Sequence, residues 1–181
     1  MRDDVRMSEP ADLPSPAGPT YRLCFVCSGN ICRSPIAAVV MQRLVDDAGL
    51  TDVVHVDSAG TGDWHVGARA DSRAVAVLSG SGYDGRAHRA RVFERSWLDD
   101  RDLVLALDRG HLRELRALAR TDEQRAKVRL LRSFDDEAPD GAEVPDPYLG
   151  DDRDFAEVLE QAERSCRGLL DAVARTLPDR V

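Results

Sequence analysis

The stretch Cys27-Ser28-Gly29-Asn30-Ile31-Cys32-Arg33-Ser34-Pro35 follows the apolar run Leu23-Cys24-Phe25-Val26 and leads into Ile36-Ala37-Ala38-Val39-Val40. It reads as a strand, a tight loop and then a helix. Ser34 suits the cap, and Pro35 suits the first helical position, where its missing amide donor would be unpaired in any case. Gly29 and Asn30 tolerate positive φ, so the loop can curl. The amides of Ser28, Gly29, Asn30, Ile31, Cys32, Arg33 and Ser34 then converge on one point at a helix N-terminus, which is a cradle for an oxyanion. Cys27 opens the loop and Arg33 closes it with five residues between them. A thiol and a bidentate cationic fork therefore address the same bound group.

Outward from this loop the chain alternates strands and helices. Residues 21–26 form the first strand, and Ile36, Val40 and Leu44 recur at four-residue spacing in the helix that follows. Val53-Val54-His55-Val56 is a β-branched strand ending in Asp57-Ser58-Ala59-Gly60-Thr61-Gly62, which has turn composition. Residues 71–78 suit a short helix with Val75 and Leu78 inward, and residues 85–96 read as a loop with room for a short strand. Leu103-Val104-Leu105-Ala106-Leu107 has the composition of a strand covered on both faces. Asp108 then caps a helix with Leu112, Leu115 and Leu118 inward, and Val128, Leu130 and Leu131 make a last short strand.

Residues 133–150 form a long acidic, proline-rich connection, a length usual for functional or disordered loops. The last helix carries Phe155, Val158, Leu159, Ala162, Cys166, Leu169, Leu170 and Val173 on one stripe, with Asp151, Asp152 and Asp154 at its N-terminal end. This order predicts an α/β fold: a three-layer sandwich over a four-stranded parallel sheet, with ligands at the carboxyl ends of the strands. One domain is expected over residues 21–181, preceded by a mobile tail over residues 1–20, which are rich in Pro, Ala, Asp and Ser.

The net charge of −8 disfavours nucleic acid as a partner, and no apolar run approaches the roughly 20 residues that span a bilayer. Four cysteines, three of them within nine residues, do not form a small secreted disulfide framework. A cytoplasmic location is the simplest expectation, with export independent of a signal peptide left open.

A thiolate is the nucleophilic form of cysteine, and a helix N-terminus together with a nearby cation lowers the thiol pKa from about 8.5. Both influences act on Cys27. Arg33 and the loop amides match the equatorial oxygens of a phosphoryl group in transfer. Such chemistry needs a proton donor for the leaving group, and Asp146 is the chosen candidate because Pro145 and Pro147 stiffen it. Asp135, Asp136, Glu137, Asp140 and Glu143 compete with it on spacing alone.

Cys32 reads equally as a resolving thiol that traps an oxidised Cys27 and as a small buried loop residue. Cys24 and Cys27, three apart in a strand, point to opposite faces and do not make a metal or redox pair. Trp64, an aromatic in the polar stretch Gly62-Asp63-Trp64-His65-Val66-Gly67, reads as a pocket wall. Tyr148 reads as the opposite wall or as a loop anchor. Ser58 either braces the Asn30 region or caps a turn. His88 has the character of a structural histidine, and nothing singles out His55, His65 or His111.

These residues together resemble the low-molecular-weight protein tyrosine phosphatases, particularly bacterial members of actinobacterial type. The resemblance runs from Tyr21 to about Leu177 and rests on three motifs: Val26-Cys27 through Pro35, Ser58-Ala59-Gly60-Thr61 with Asp63-Trp64-His65-Val66-Gly67, and Asp146-Pro147-Tyr148. It implies the flavodoxin-like fold of that family, no metal or other cofactor, tyrosine-phosphorylated proteins as substrates and phosphate or other oxyanions as inhibitors. It further implies that Cys27 attacks phosphotyrosine to form a cysteinyl-phosphate and that Arg33 holds the phosphoryl group. Asp146 would protonate the phenolate and then activate water. Ser34 would stabilise the thiolate, and Asn30, Ser58 and His88 would brace the loop.

Leu149 departs from the second tyrosine that many members carry after Tyr148. Two enzymatic rivals share the opening loop: an arsenate reductase, which would need a downstream cysteine relay, and a protein-arginine phosphatase, which favours Thr where Ile31 stands. A phosphate-binding module without chemistry is the non-enzymatic rival.

Overall fold

The structure, a computed structural model, describes residues 12–179. Four parallel strands, β1 (Tyr21–Cys27), β2 (Val54–Gly60), β3 (Leu103–Ala106) and β4 (Val128–Leu130), form one sheet in the order β2-β1-β3-β4. Helices α1 (Arg33–Asp47), α2 (Ser72–Gly80), α3 (Trp97–Asp100), α4 (Arg109–Leu118), α5 (Asp122–Ala126) and α6 (Asp152–Thr176) connect and cover them, with a 3₁₀ turn at Leu131–Phe134. The crossover from β1 through α1 to β2 places the second strand beside the first, and the chain then crosses back to build outward on the other edge. Order reverses at β1, and ligands in such sheets bind beyond the carboxyl ends of the strands at that switch point.

The strand period of two sorts β1 into two cores. Leu23, Phe25 and Cys27 face a layer built from α1, α2 and α6, with Ile36, Met41, Phe155 and Leu169 buried there. Cys24 and Val26 face the other layer, with Val104, Ala106, Leu98 and Leu115. Cys24 and Cys27 thus sit on opposite faces of the sheet, as their spacing requires.

Three local expectations are corrected. β2 runs on through Asp57-Ser58-Ala59 to Gly60, because its ladder with β1 continues to the pair Cys27 and Gly60, and pairing overrides turn composition. Residues 85–96 hold no strand, only a single bridge between Gly60 and Val92. Helix α1 starts at Arg33, with Cys32 as N-cap, two residues before the expected start at Pro35. Pro35 still lies in the first turn, where its missing N–H breaks no helical bond.

Of the stretch 1–20, residues 1–11 lie outside the described residues. Within residues 12–20, Leu13 packs against the core and Ala17 N–H donates to Asp102 Oδ1 (3.0 Å). Among the described residues no helix is long and apolar enough to cross a membrane.

Candidate active site

Cys27 is the last residue of β1, and the loop it opens is stitched to the end of β2: Thr61 N–H donates to Cys27 O (2.8 Å) and Gly62 N–H to Ser28 O (3.0 Å). At the far end of the loop the first helical bond runs from Ile36 N–H to Cys32 O (3.2 Å). The amides of Arg33 and Ser34 precede it and head the helix. Asn30 adopts the left-handed conformation (φ 57°) that lets the loop curl. Gly29, by contrast, is not at positive φ. Its need for glycine is spatial, since a Cβ there would meet His65 Cδ2 at 2.8 Å.

Asn30 is the hub of this loop and is fully buried. Its Nδ2 donates to Ser34 Oγ (2.8 Å) and Ser58 Oγ (3.0 Å), and its Oδ1 accepts from Arg91 N–H (3.1 Å). Its carbonyl accepts from His88 Nε2 (2.7 Å), which fixes the proton of the neutral ring on that nitrogen. Burial holds the His88 pKa below its ordinary value against the opposing pull of that carbonyl. Ser34 Oγ lies 2.9 Å from Cys27 Sγ and 3.4 Å from Ala59 O, so its hydrogen is best placed for the sulfur once Asn30 has taken an oxygen lone pair. Ser34 suits a cap by composition, but the N-cap is Cys32, and the Ser34 hydroxyl turns inward to the thiol.

The Arg33 guanidinium is buried yet reaches the same cavity. Nη1 donates to Asp108 Oδ2 (2.8 Å) and to Val144 O (3.0 Å), and Nη2 lies 3.7 Å from Asp146 Oδ2. Burial disfavours charge on Asp108, but donation from His111 N–H and from Arg33 outweighs it and keeps its pKa low. Asp108 is therefore a fixed negative partner that aims the arginine. Asp146 stands in the long connection, its Oδ1 accepting Tyr148 N–H (3.1 Å).

A cavity of about 150 Å³ opens over the loop, lined by Cys27, Cys32 and Arg33 at its base and by Trp64, Asp146 and Tyr148 toward its mouth. Trp64 (71% exposed) and Tyr148 (47%) stand half free in solvent. An aromatic ring entering between them would gain stacking partners without a change of backbone. Cys32 is buried, and desolvation pushes its thiol up to about 12, which keeps it protonated and weakly nucleophilic at neutral pH.

Two residues of this site escaped the sequence reading. His111 is buried, with Nε2 2.8 Å from Ser28 Oγ and Nδ1 3.2 Å from Asp108 Oδ1, the latter off the hydrogen-bond line. It thus touches both the residue after the nucleophile and the partner of Arg33. The available signal was its place one turn into a helix that leaves the carboxyl end of a central strand. His65, beside Trp64, lines the cavity against Gly29.

A family model for low molecular weight phosphotyrosine protein phosphatase matches residues 22–179. The chain belongs to that family.

Its relatives among the low molecular weight phosphatases are close. The low molecular weight protein-tyrosine-phosphatase of Streptomyces coelicolor is 54% identical over 162 residues, covering 89% of this chain and 98% of its own. The low molecular weight protein-tyrosine phosphatase A of Mycobacterium tuberculosis is 47% identical over 154 residues, 84% of this chain and 91% of its own. The crystal structure of a protein tyrosine phosphatase from Entamoeba histolytica, with Hepes in the active site, superposes with a TM-score of 0.82 at 33% identity. That match covers 86% of this chain and 98% of the other. As a low molecular weight phosphatase, the chain gathers at one cavity a thiol beside a hydroxyl, a guanidinium held by Asp108, a carboxyl and two aromatic side chains.

Proposed function

We propose that this chain hydrolyses phosphotyrosine on proteins by two successive in-line transfers. In the first, the Cys27 thiolate attacks phosphorus and the bond from phosphorus to the phenolic oxygen breaks. Protonated Asp146 gives its proton to that oxygen, so tyrosine leaves neutral. Arg33 and the amides of residues 28–34 hold the equatorial oxygens, and Ser34 donates to the sulfur whenever it is anionic. In the second transfer a water attacks the cysteinyl-phosphate, and the Asp146 carboxylate takes its proton. Inorganic phosphate leaves and the thiolate is restored.

The observation that carries this reading is the convergence of Cys27, Arg33 and Asp146 on one cavity between Trp64 and Tyr148. A phenol ring has a flat body for those walls and a high-pKa oxygen that needs the acid. The arsenate reductase reading lacks its relay, since Cys166 is fully buried on α6 with its Sγ directed at Ala37 O (3.7 Å). A cytoplasmic setting fits the four free thiols among the described residues.

Cys27→Ser should abolish hydrolysis of aryl phosphates while phosphate or vanadate still binds, and near-normal turnover in that variant would sink the mechanism. Asp146→Ala should lose about 10² to 10⁴ in kcat/KM on phosphotyrosine and much less on an activated phenol. Faster turnover of phosphoarginine than of phosphotyrosine would move the substrate class to the arginine phosphatases.

A further inference from the structure

Asp146 sits on a connection held at two ends. Before it, Val144 N–H donates to Leu107 O (2.8 Å), and Val144 O accepts from Arg33 (3.0 Å). After it, the holding group is Arg73, in the first turn of α2 and outside the cavity. Arg73 Nη2 donates to Tyr148 O (2.9 Å) and Nη1 to Gly150 O (3.3 Å). Its guanidinium carbon lies 5.7 Å from the Tyr148 ring centroid and 4.6 Å from that of Phe155, at the start of α6. The other side of the fork is gripped by Asp71, which accepts from Nε (3.1 Å) and Nη2 (3.0 Å).

Asp71 is itself tied to the phosphate cradle, its N–H donating to Ile31 O (2.8 Å). A continuous circuit results. It runs from the cradle at Ile31 through Asp71 and Arg73 to Tyr148, then from Tyr148 N–H to Asp146 Oδ1, and from Asp146 Oδ2 back toward Arg33.

We propose that Arg73 is a positioning residue for general acid catalysis: it sets the height of Asp146 above the cradle by clamping the carbonyls of Tyr148 and Gly150 to Asp71. The inference rests on the role given to Asp146 above. A carboxyl in proton transfer must lie within hydrogen-bond reach of the leaving oxygen, and misplacement by an ångström costs rate in proportion to how much the step needs the acid. Guanidinium suits the task because its planar fork serves one carboxylate and two carbonyls at once, which an ammonium cannot. The clamp touches neither the sulfur nor the phosphoryl oxygens, so it should act on proton donation and leave nucleophilic attack alone.

The test is the dependence of kcat/KM on leaving-group pKa for a series of aryl phosphates, in wild type, Arg73→Met, Asp146→Ala and the double variant. Arg73→Met keeps the apolar stem against Phe155 and removes the fork. It should lose about tenfold or more on phenyl phosphate and less than about threefold on a dinitrophenyl phosphate, steepening the dependence. In the Asp146→Ala background the same substitution should add almost nothing, because the group it positions is gone. Equal loss across all leaving groups, or additive losses in the double variant, would overturn the proposal and leave Arg73 a general support of the fold. If Arg73→Met does not fold, Arg73→Lys gives the same slope comparison. Wild type with no dependence on Asp146 would instead overturn the function proposed above, so the two failures are distinguishable.

Discussion

At the scale of single residues, Asn30 concentrates the demands of the site. It must hold a left-handed backbone, which costs most residues about 1–2 kcal/mol, and supply an amide that satisfies Ser34, Ser58 and the Arg91 backbone together. Aspartate could adopt the backbone but could not donate, and glycine could adopt it but offers no side chain. Asn30→Ala should therefore cost about 2–4 kcal/mol of stability, from strain plus buried hydrogen bonds lost at about 1 kcal/mol each. Asn30→Gly should be milder by about 1 kcal/mol because the strain term vanishes. Urea denaturation of the two variants measures the difference, and equal losses would show that strain plays no part. The loop composition showed that Gly29 and Asn30 could curl. It did not show that Asn30 alone does so while Gly29 makes room for His65, since that ring belongs to another loop.

At the scale of elements, strands and long helices were legible because their apolar periods are strong. The last helix has its stripe buried from Phe155 to Val173, and Asp151 caps it reciprocally with Asp154. Helix ends were less legible. Ser34 has the right chemistry for a cap, but the thiol of Cys27 competes for its hydroxyl, and the helix begins at Arg33 with Cys32 as its N-cap. Gly168 makes a similar point within α6. Alanine is intrinsically better than glycine in a helix by about 1 kcal/mol, yet a Cβ here would lie 2.0 Å from Phe134 O. Gly168→Ala should thus destabilise the protein by about 1–3 kcal/mol, the cost of overpacking, and a rise in thermal midpoint would show that the 3₁₀ turn yields instead. Phe134 is 34 residues away in sequence, so no helical pattern could report the contact.

At the scale of the whole molecule, buried His111 and half-buried His88 touch the cradle from different elements, and loss of solvation lowers both their pKa values from 6.5. Both are neutral in the folded protein at pH 7. As pH falls below about 6.5 the unfolded chain takes up protons that the folded chain resists. The stability due to these groups is thus present above that pH and is lost on the way down to their folded values. The slope should reach at most about 1.4 kcal/mol per pH unit for each histidine. Asp71 and Asp108, also lowered, act separately below their ordinary 3.8. Urea midpoints should drop between pH 7 and pH 5, and His88→Gln, which can still donate to Asn30 O, should flatten part of that drop. An unchanged slope in His88→Gln would remove His88 from the account.

By itself the sequence determined the alternating α/β architecture, the strand-loop-helix that presents Cys27 and Arg33, and the family to which the chain belongs, because each is written in local periods and short motifs. The flanking prolines and the Asp146-Pro147-Tyr148 motif already singled out Asp146. Only the tertiary structure decided that it stands beside Arg33, that His111 and Asp108 stand behind the cradle, and that Arg73 joins the cradle to the loop that carries Asp146. Those contacts join residues 75 or more positions apart. Their geometry is created when the sheet closes and brings the strand ends together, and no shorter stretch of chain contains it.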